Sequence, residues 1–129
     1  MPTLDSLLGG KRCLVLDDEF LIALDIQQIL ERAGALHVVS VASAGEAITL
    51  LGREPRFDVA VLDVKLDGPE RNSLDVAARL QTQGTAFVFL TGMRVDDVHA
   101  KLFPDAPVIE KPYEATALLR AVHHALTRA

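Results

Sequence analysis

Two apolar runs in the chain end on acid. Cys13-Leu14-Val15-Leu16 runs into Asp17-Asp18-Glu19, and Val59-Ala60-Val61-Leu62 runs into Asp63. Short Val- and Leu-rich runs of this kind read as strands buried on both faces, the kind found in parallel sheets. Open α/β sheets bind their ligands outside the carboxyl ends of the strands. Carboxylates gathered at one such edge repel each other unless a cation sits among them. Asp17, Asp18 and Asp63 therefore form a candidate site for a hard divalent ion beside a nucleophilic carboxylate. Two further apolar runs have polar exits, Thr91-Gly92 after Ala86-Phe87-Val88-Phe89-Leu90 and Lys111-Pro112 after Val108-Ile109. The acid cluster alone is compatible with several chemistries.

The elements that must position these groups alternate along the chain. Ile22, Ile26, Ile29, Leu30 and Ala33 recur at helical spacing over residues 20–33, and Gly34 supplies the stop. Val38-Val39-Ser40-Val41 reads as a second strand. Ser43 followed by Glu46 is a capping box opening a helix that carries Ala47, Ile48, Leu50 and Leu51 and ends at Arg53-Glu54-Pro55-Arg56. Residues 58–63 form the third strand, followed by a polar loop whose Asp67-Gly68-Pro69 is a strong turn signal. A helix with Leu74, Val76, Ala77 and Leu80 stops near Gly84, and the fourth strand follows. A short helix around 95–103 ends before Pro104, and Val108-Ile109 is a brief fifth strand. The last helix places Leu118, Leu119, Val122 and Leu126 on one face. Five strand–helix units with connections this short imply a parallel sheet covered by helices on both faces.

Composition bounds the function classes. With 129 residues, half of them hydrophobic and about a quarter charged, the chain matches one globular domain. A net charge of −5 argues against a nucleic-acid-binding module, which needs a basic face. The single cysteine, Cys13, sits in an apolar strand and cannot form an internal disulfide, so a buried thiol in a reducing cytosol is expected. The start Met1-Pro2-Thr3-Leu4-Asp5 lacks the basic and apolar stretches of a signal peptide. No apolar run approaches the ~20 residues that span a bilayer. These features predict a cytoplasmic protein with neither a membrane nor a nucleic-acid partner. Residues 1–10, ending in Gly9-Gly10, read as a loosely attached, flexible arm on a domain spanning 11–129. His37, His99, His123 and His124 lack metal-like spacing, and Gly9-Gly10 lacks the strand–helix context of a phosphate loop.

Taken in order, Asp17-Asp18 after strand one, Asp63 after strand three, Thr91 after strand four and Lys111-Pro112 after strand five resemble the receiver domain of bacterial response regulators. The resemblance covers about residues 11–126. It implies a flavodoxin-like, doubly wound sheet of five parallel strands in the order 2-1-3-4-5, with helices on both faces. It also implies transfer of a phosphoryl group from a sensor histidine kinase to Asp63. A carboxylate is a poor nucleophile, but phosphoryl transfer asks mainly for positioning and charge neutralisation. On this resemblance Mg²⁺ (or Mn²⁺) is held directly by Asp18 and Asp63, through water by Asp17, and by the backbone carbonyl of Lys65. Lys111 would pair with a phosphoryl oxygen, and Thr91 would hydrogen-bond the modified Asp63. Pro112 makes the Lys111–Pro112 peptide a candidate cis bond. The implied function is that of a single-domain regulator, not a turnover enzyme, which signals through a partner protein or acts as a phosphate sink.

Within that family, Ala86-Phe87-Val88-Phe89-Leu90-Thr91-Gly92-Met93 resembles the FATGUY subgroup's strand-four motif, as do the segments Phe20–Asp25 and Pro107–Tyr113. Ala86, Leu90 and Met93 depart from its Pro, Ala and Tyr. Members of the subgroup are phosphorylated by kinases of the HWE type. Many receivers carry Tyr or Phe three residues before the lysine, whereas this chain has Val108, which is short and stiff at χ1. Output through residues 92–104 is therefore expected, as is screening of the phosphorylated site by Met93. Three other readings compete. A small aspartyl-phosphate phosphatase needs Asp-X-Asp at the first strand, which Asp17-Asp18-Glu19 does not supply. A flavin carrier needs a Ser/Thr/Gly-rich loop after Leu16, and none follows. A degenerate receiver that binds its partner without phosphorylation is opposed by intact Asp18, Asp63, Thr91 and Lys111.

Overall fold

Alternation along the strands divides the interior into two layers. In the computed structural model, which describes residues 6–64, 73–92 and 101–128, five strands lie parallel. They are β1 (Arg12–Leu16), β2 (His37–Val41), β3 (Val59–Asp63), β4 (Ala86–Thr91) and β5 (Val108–Glu110), in the spatial order β2-β1-β3-β4-β5. Successive side chains of a strand point to opposite faces. Cys13, Val15, Val59, Val61, Val88 and Leu90 accordingly share one core, and Leu14, Leu16, Ala60, Leu62, Phe87 and Phe89 share the other. Helices α1 (Phe20–Arg32) and the C-terminal α4 (Ala115–Arg128) cover the first face, with Ile26, Leu30, Leu118 and Val122 fully buried there. Helices α2 (Ala44–Leu51) and α3 (Ser73–Gln83) cover the second, with Ala47, Val76, Ala77 and Leu80. The sheet order and the covering of both faces agree with the doubly wound α/β fold expected from the sequence.

The helix stops act where the sequence places them. At Gly34 (φ 95°) the chain turns left-handed, Gly34 N–H donates to Glu31 O (3.0 Å) and Ala35 N–H to Leu30 O (3.2 Å). Gly84 (φ 73°) closes α3 in the same way, with Gly84 N–H to Gln81 O (3.1 Å) and Thr85 N–H to Leu80 O (2.9 Å). Both are Schellman closures, which satisfy the last carbonyls of a helix and turn the chain back into a strand. At the start of α2, Ser43 Oγ accepts from Glu46 N–H at 3.1 Å, as its cap pattern predicts.

Part of the expected loose arm is tied to the domain. Leu8 has no exposed surface, belongs to the core under α1 and α4, and its N–H donates to Ala33 O at 2.9 Å. Leu7 and Leu8 thus pack against the domain, Leu8 filling a place between the sheet and the end of α1, while Ser6, Gly9 and Gly10 stay exposed. Cys13 is buried as expected, and burial, followed by the Asp58 charge, pushes its thiol up to about 12. The turn at Asp67-Gly68-Pro69 and most of the helix expected at 95–103 lie outside the described residues. Among the described residues, no helix is long and apolar enough to cross a membrane.

Candidate functional site

Parallel strands bring all their carboxyl ends to one edge, and the polar exits collect there. Asp17 follows β1 directly, Asp63 is the last residue of β3, Thr91 ends β4, and Lys111 follows β5. Asp17, Asp18 and Asp63 each offer a carboxylate oxygen, and these oxygens lie within 4.8 Å of one another. Asp17 and Asp63 are each 2 % exposed, while Asp18 is half-buried. Thr91 is buried, and its carbonyl accepts a 2.7 Å hydrogen bond from Lys111 N–H, so the last two strand exits are joined through the backbone.

Charge balance at this edge centres on Lys111. Its Nζ lies 3.4 Å from Asp17 Oδ2, 3.6 Å from Asp63 Oδ1 and 3.6 Å from Glu19 Oε1. Burial alone would lower the lysine pKa, but Asp63, Asp17 and Glu19 together outweigh it and hold the ammonium above its ordinary range. Asp17 shifts upward: burial dominates over the Glu19 N–H that donates to its Oδ1 (2.9 Å) and over the pull of Lys111. Its Oδ2 is buried and makes no hydrogen bond. Buried carboxylate oxygens close together, one of them without a hydrogen bond, suit a small hard dication with oxygen ligands. Asp17, Asp18 and Asp63 fit such an ion.

The expected residues are thus gathered at one edge, apart from Lys65, whose backbone carbonyl lies outside the described residues, as does Met93. The Lys111–Pro112 peptide is cis, as the sequence anticipates. Val108 lies beside Phe89 in the β4–β5 ladder and packs on the core containing Phe87, Phe89 and Phe103. Phe103 meets Phe87 edge-on with ring centroids 5.4 Å apart, so an aromatic cluster lies beside the position where many receivers carry Tyr or Phe.

Two groups near the site escape a reading of the sequence. Glu19 is the N-cap of α1 but makes no side-chain cap bond, and its carboxylate faces Lys111 instead. Tyr113 Oη donates to Asp25 Oδ2 on α1 at 2.8 Å, and burial, then Asp25, raises the phenol above the usual tyrosine range. These partners lie far apart in sequence, and no local spacing signals them.

Comparison with known proteins agrees with this geometry. The chain is similar to a response regulator receiver protein from Sinorhizobium medicae, with 29 % identity, a TM-score of 0.81, and coverage of 92 % of this chain and 95 % of that one. A CheY-like receiver domain protein from Methanospirillum hungatei is 28 % identical with a TM-score of 0.77, covering 93 % and 96 % of the two chains. The transcriptional regulatory protein PdtaR of Mycobacterium tuberculosis is 27 % identical over 121 residues, 92 % of this chain. The chain spans 58 % of the length of that curated relative. The sequence pattern of the response regulator receiver domain matches residues 13–123, from within β1 to within α4. With that pattern over most of its length and the acid cluster and lysine at the strand exits, the chain belongs to the response regulator receiver domain family.

Proposed function

We propose that this receiver accepts a phosphoryl group from a sensor histidine kinase onto Asp63. The observation that carries the reading is the placement of Asp63 Oδ1, 3.6 Å from the Lys111 ammonium and grouped with the Asp17 and Asp18 carboxylates. Asp17, Asp18 and Asp63 would hold Mg²⁺ (or Mn²⁺), with the Lys65 carbonyl completing the protein's share. When bound, the dication supplies charge neutralisation for the acids and for the incoming phosphoryl oxygens. Asp63 is the nucleophile, attacking phosphorus as the donor's nitrogen or oxygen leaves. Lys111 then moves its charge from the carboxylates to a phosphoryl oxygen, as a compact cation on a flexible stem. Thr91 presents its hydroxyl to the same group.

The domain would act through a downstream protein or as a phosphate sink rather than by turning over a substrate, and water would return Asp63 to its free form. Resemblance of Phe87-Val88-Phe89 and Thr91-Gly92 to the FATGUY motif favours a kinase of the HWE type. Incubation with a small phosphodonor tests the reading. Labelling that depends on Mg²⁺ and disappears with chelator is expected; absence of labelling would leave the domain to act without phosphorylation.

A further inference from the structure

Lys111 must hold its ammonium among three carboxylates, yet it sits at the head of the connection between β5 and α4 and has a flexible four-carbon stem. Its backbone is fixed on one side by the 2.7 Å bond from its N–H to Thr91 O. Two residues onward, Tyr113 fixes the other side. Its ring is partly buried against the core beneath α1 and α4, and its hydroxyl reaches Asp25 of α1 at 2.8 Å. A phenylalanine would pack there equally well; the hydroxyl adds a charge-assisted bond to a carboxylate on a different element.

That bond joins the two segments that supply the opposite charges of the site. Helix α1 begins at Phe20, immediately after Asp17-Asp18-Glu19, and Asp25 lies in its second turn. The segment carrying Lys111 is held against that helix by Tyr113. Fixing Tyr113 to α1 therefore fixes the distance between the ammonium and the acid cluster. Groups that stabilise transferring phosphoryl oxygens work through position, so slack in this segment weakens Lys111 at the moment of transfer.

We propose that Tyr113 is a positioning residue for Lys111, acting through its hydrogen bond to Asp25. The proposal rests on Asp63 being the phosphoacceptor. Tyr113→Phe removes the hydroxyl and keeps the ring, Asp25→Ala removes the acceptor, and Asp25→Asn keeps an acceptor oxygen.

The test is the rate of Asp63 phosphorylation by phosphoramidate with Mg²⁺, followed as a function of donor concentration, with urea unfolding curves for each variant. Tyr113→Phe and Asp25→Ala are expected to lower the saturated rate roughly threefold to tenfold, part of the ~100-fold that an ångström of misplacement costs. The donor concentration at half-saturation stays unchanged, and Asp25→Asn keeps the wild-type rate. In a Lys111→Ala background, Tyr113→Phe has no further effect, because the group it positions is gone. Wild-type rates in Tyr113→Phe, or the same slowing in the Lys111→Ala background, overturn the proposal. No phosphorylation of the wild type overturns the phosphoacceptor reading itself, and the positioning role with it.

Discussion

Lys111 Nζ stands 3.4 Å from Asp17 Oδ2, yet that oxygen, buried beneath the sheet edge, makes no hydrogen bond. The attraction falls short of what burial takes away, and Asp17 carries an upward pKa shift whose first cause is desolvation. Asp17 is therefore the carboxylate at this edge whose charge burial opposes, and a dication bound there would offset that cost.

Removing the Asp17 charge is expected to stabilise the metal-free fold. A carboxylate with a raised folded-state pKa keeps its proton more readily folded than unfolded. Its contribution therefore becomes less favourable as pH rises from the ordinary aspartate value of ~3.9 through the raised folded value. Asp17→Asn is expected to raise the unfolding free energy at pH 7 by about 1 kcal/mol in chelator. The gain disappears below about pH 4, where Asp17 is protonated in both states. The same substitution weakens Mg²⁺ binding. Urea unfolding at the two pH values, with and without Mg²⁺, reads both effects; a less stable Asp17→Asn protein at pH 7 would show that Lys111 already satisfies the carboxylate.

Leu8 anchors the chain ahead of β1. Its side chain has no exposed surface, so Leu8→Ala is expected to cost roughly 2–5 kcal/mol, the range for emptying a core leucine site. Removal of residues 1–10 should be as harmful. Thermal or urea unfolding decides it, and a loss under about 0.5 kcal/mol, the size of a neutral surface change, would restore the loose arm.

The contrast between Leu8 and the strand exits shows what a sequence makes legible. Asp17, Asp63 and Thr91 each end an apolar run, Lys111-Pro112 follows the brief strand Val108–Glu110, and parallel strands bring such ends to one edge. Gly34 and Gly84 likewise announce helix stops through a backbone conformation that glycine favours. Leu8 stands in Leu7-Leu8-Gly9-Gly10, with no period to connect it to a face, and its burial depends on the end of α1. The Tyr113–Asp25 bond spans 88 residues, and Glu19 meets Lys111 from the opposite end of the chain. Such pairs follow from tertiary packing and have no local signature.

Val108 is expected to redirect how a modification at Asp63 would be read. It lies beside Phe89, whose ring is 5.9 Å from that of Phe103. A stiff valine does not swing as an aromatic ring does, and Phe103 lies in the 92–104 segment that leads away from Thr91. Binding of a beryllofluoride phosphoryl mimic is expected to change amide hydrogen exchange over residues 92–104 more than over β5. Unchanged exchange in 92–104, with a change elsewhere, would move the output to another surface.

Mass mapping of the phosphodonor-treated protein tests most directly whether Asp63 forms the acyl phosphate. With Mg²⁺ and phosphoramidate, the wild type should gain one phosphoryl group on the peptide containing Asp63, and Asp63→Asn should gain none. An equal gain in Asp63→Asn, or a phosphoryl group mapped to another residue, would contradict the account.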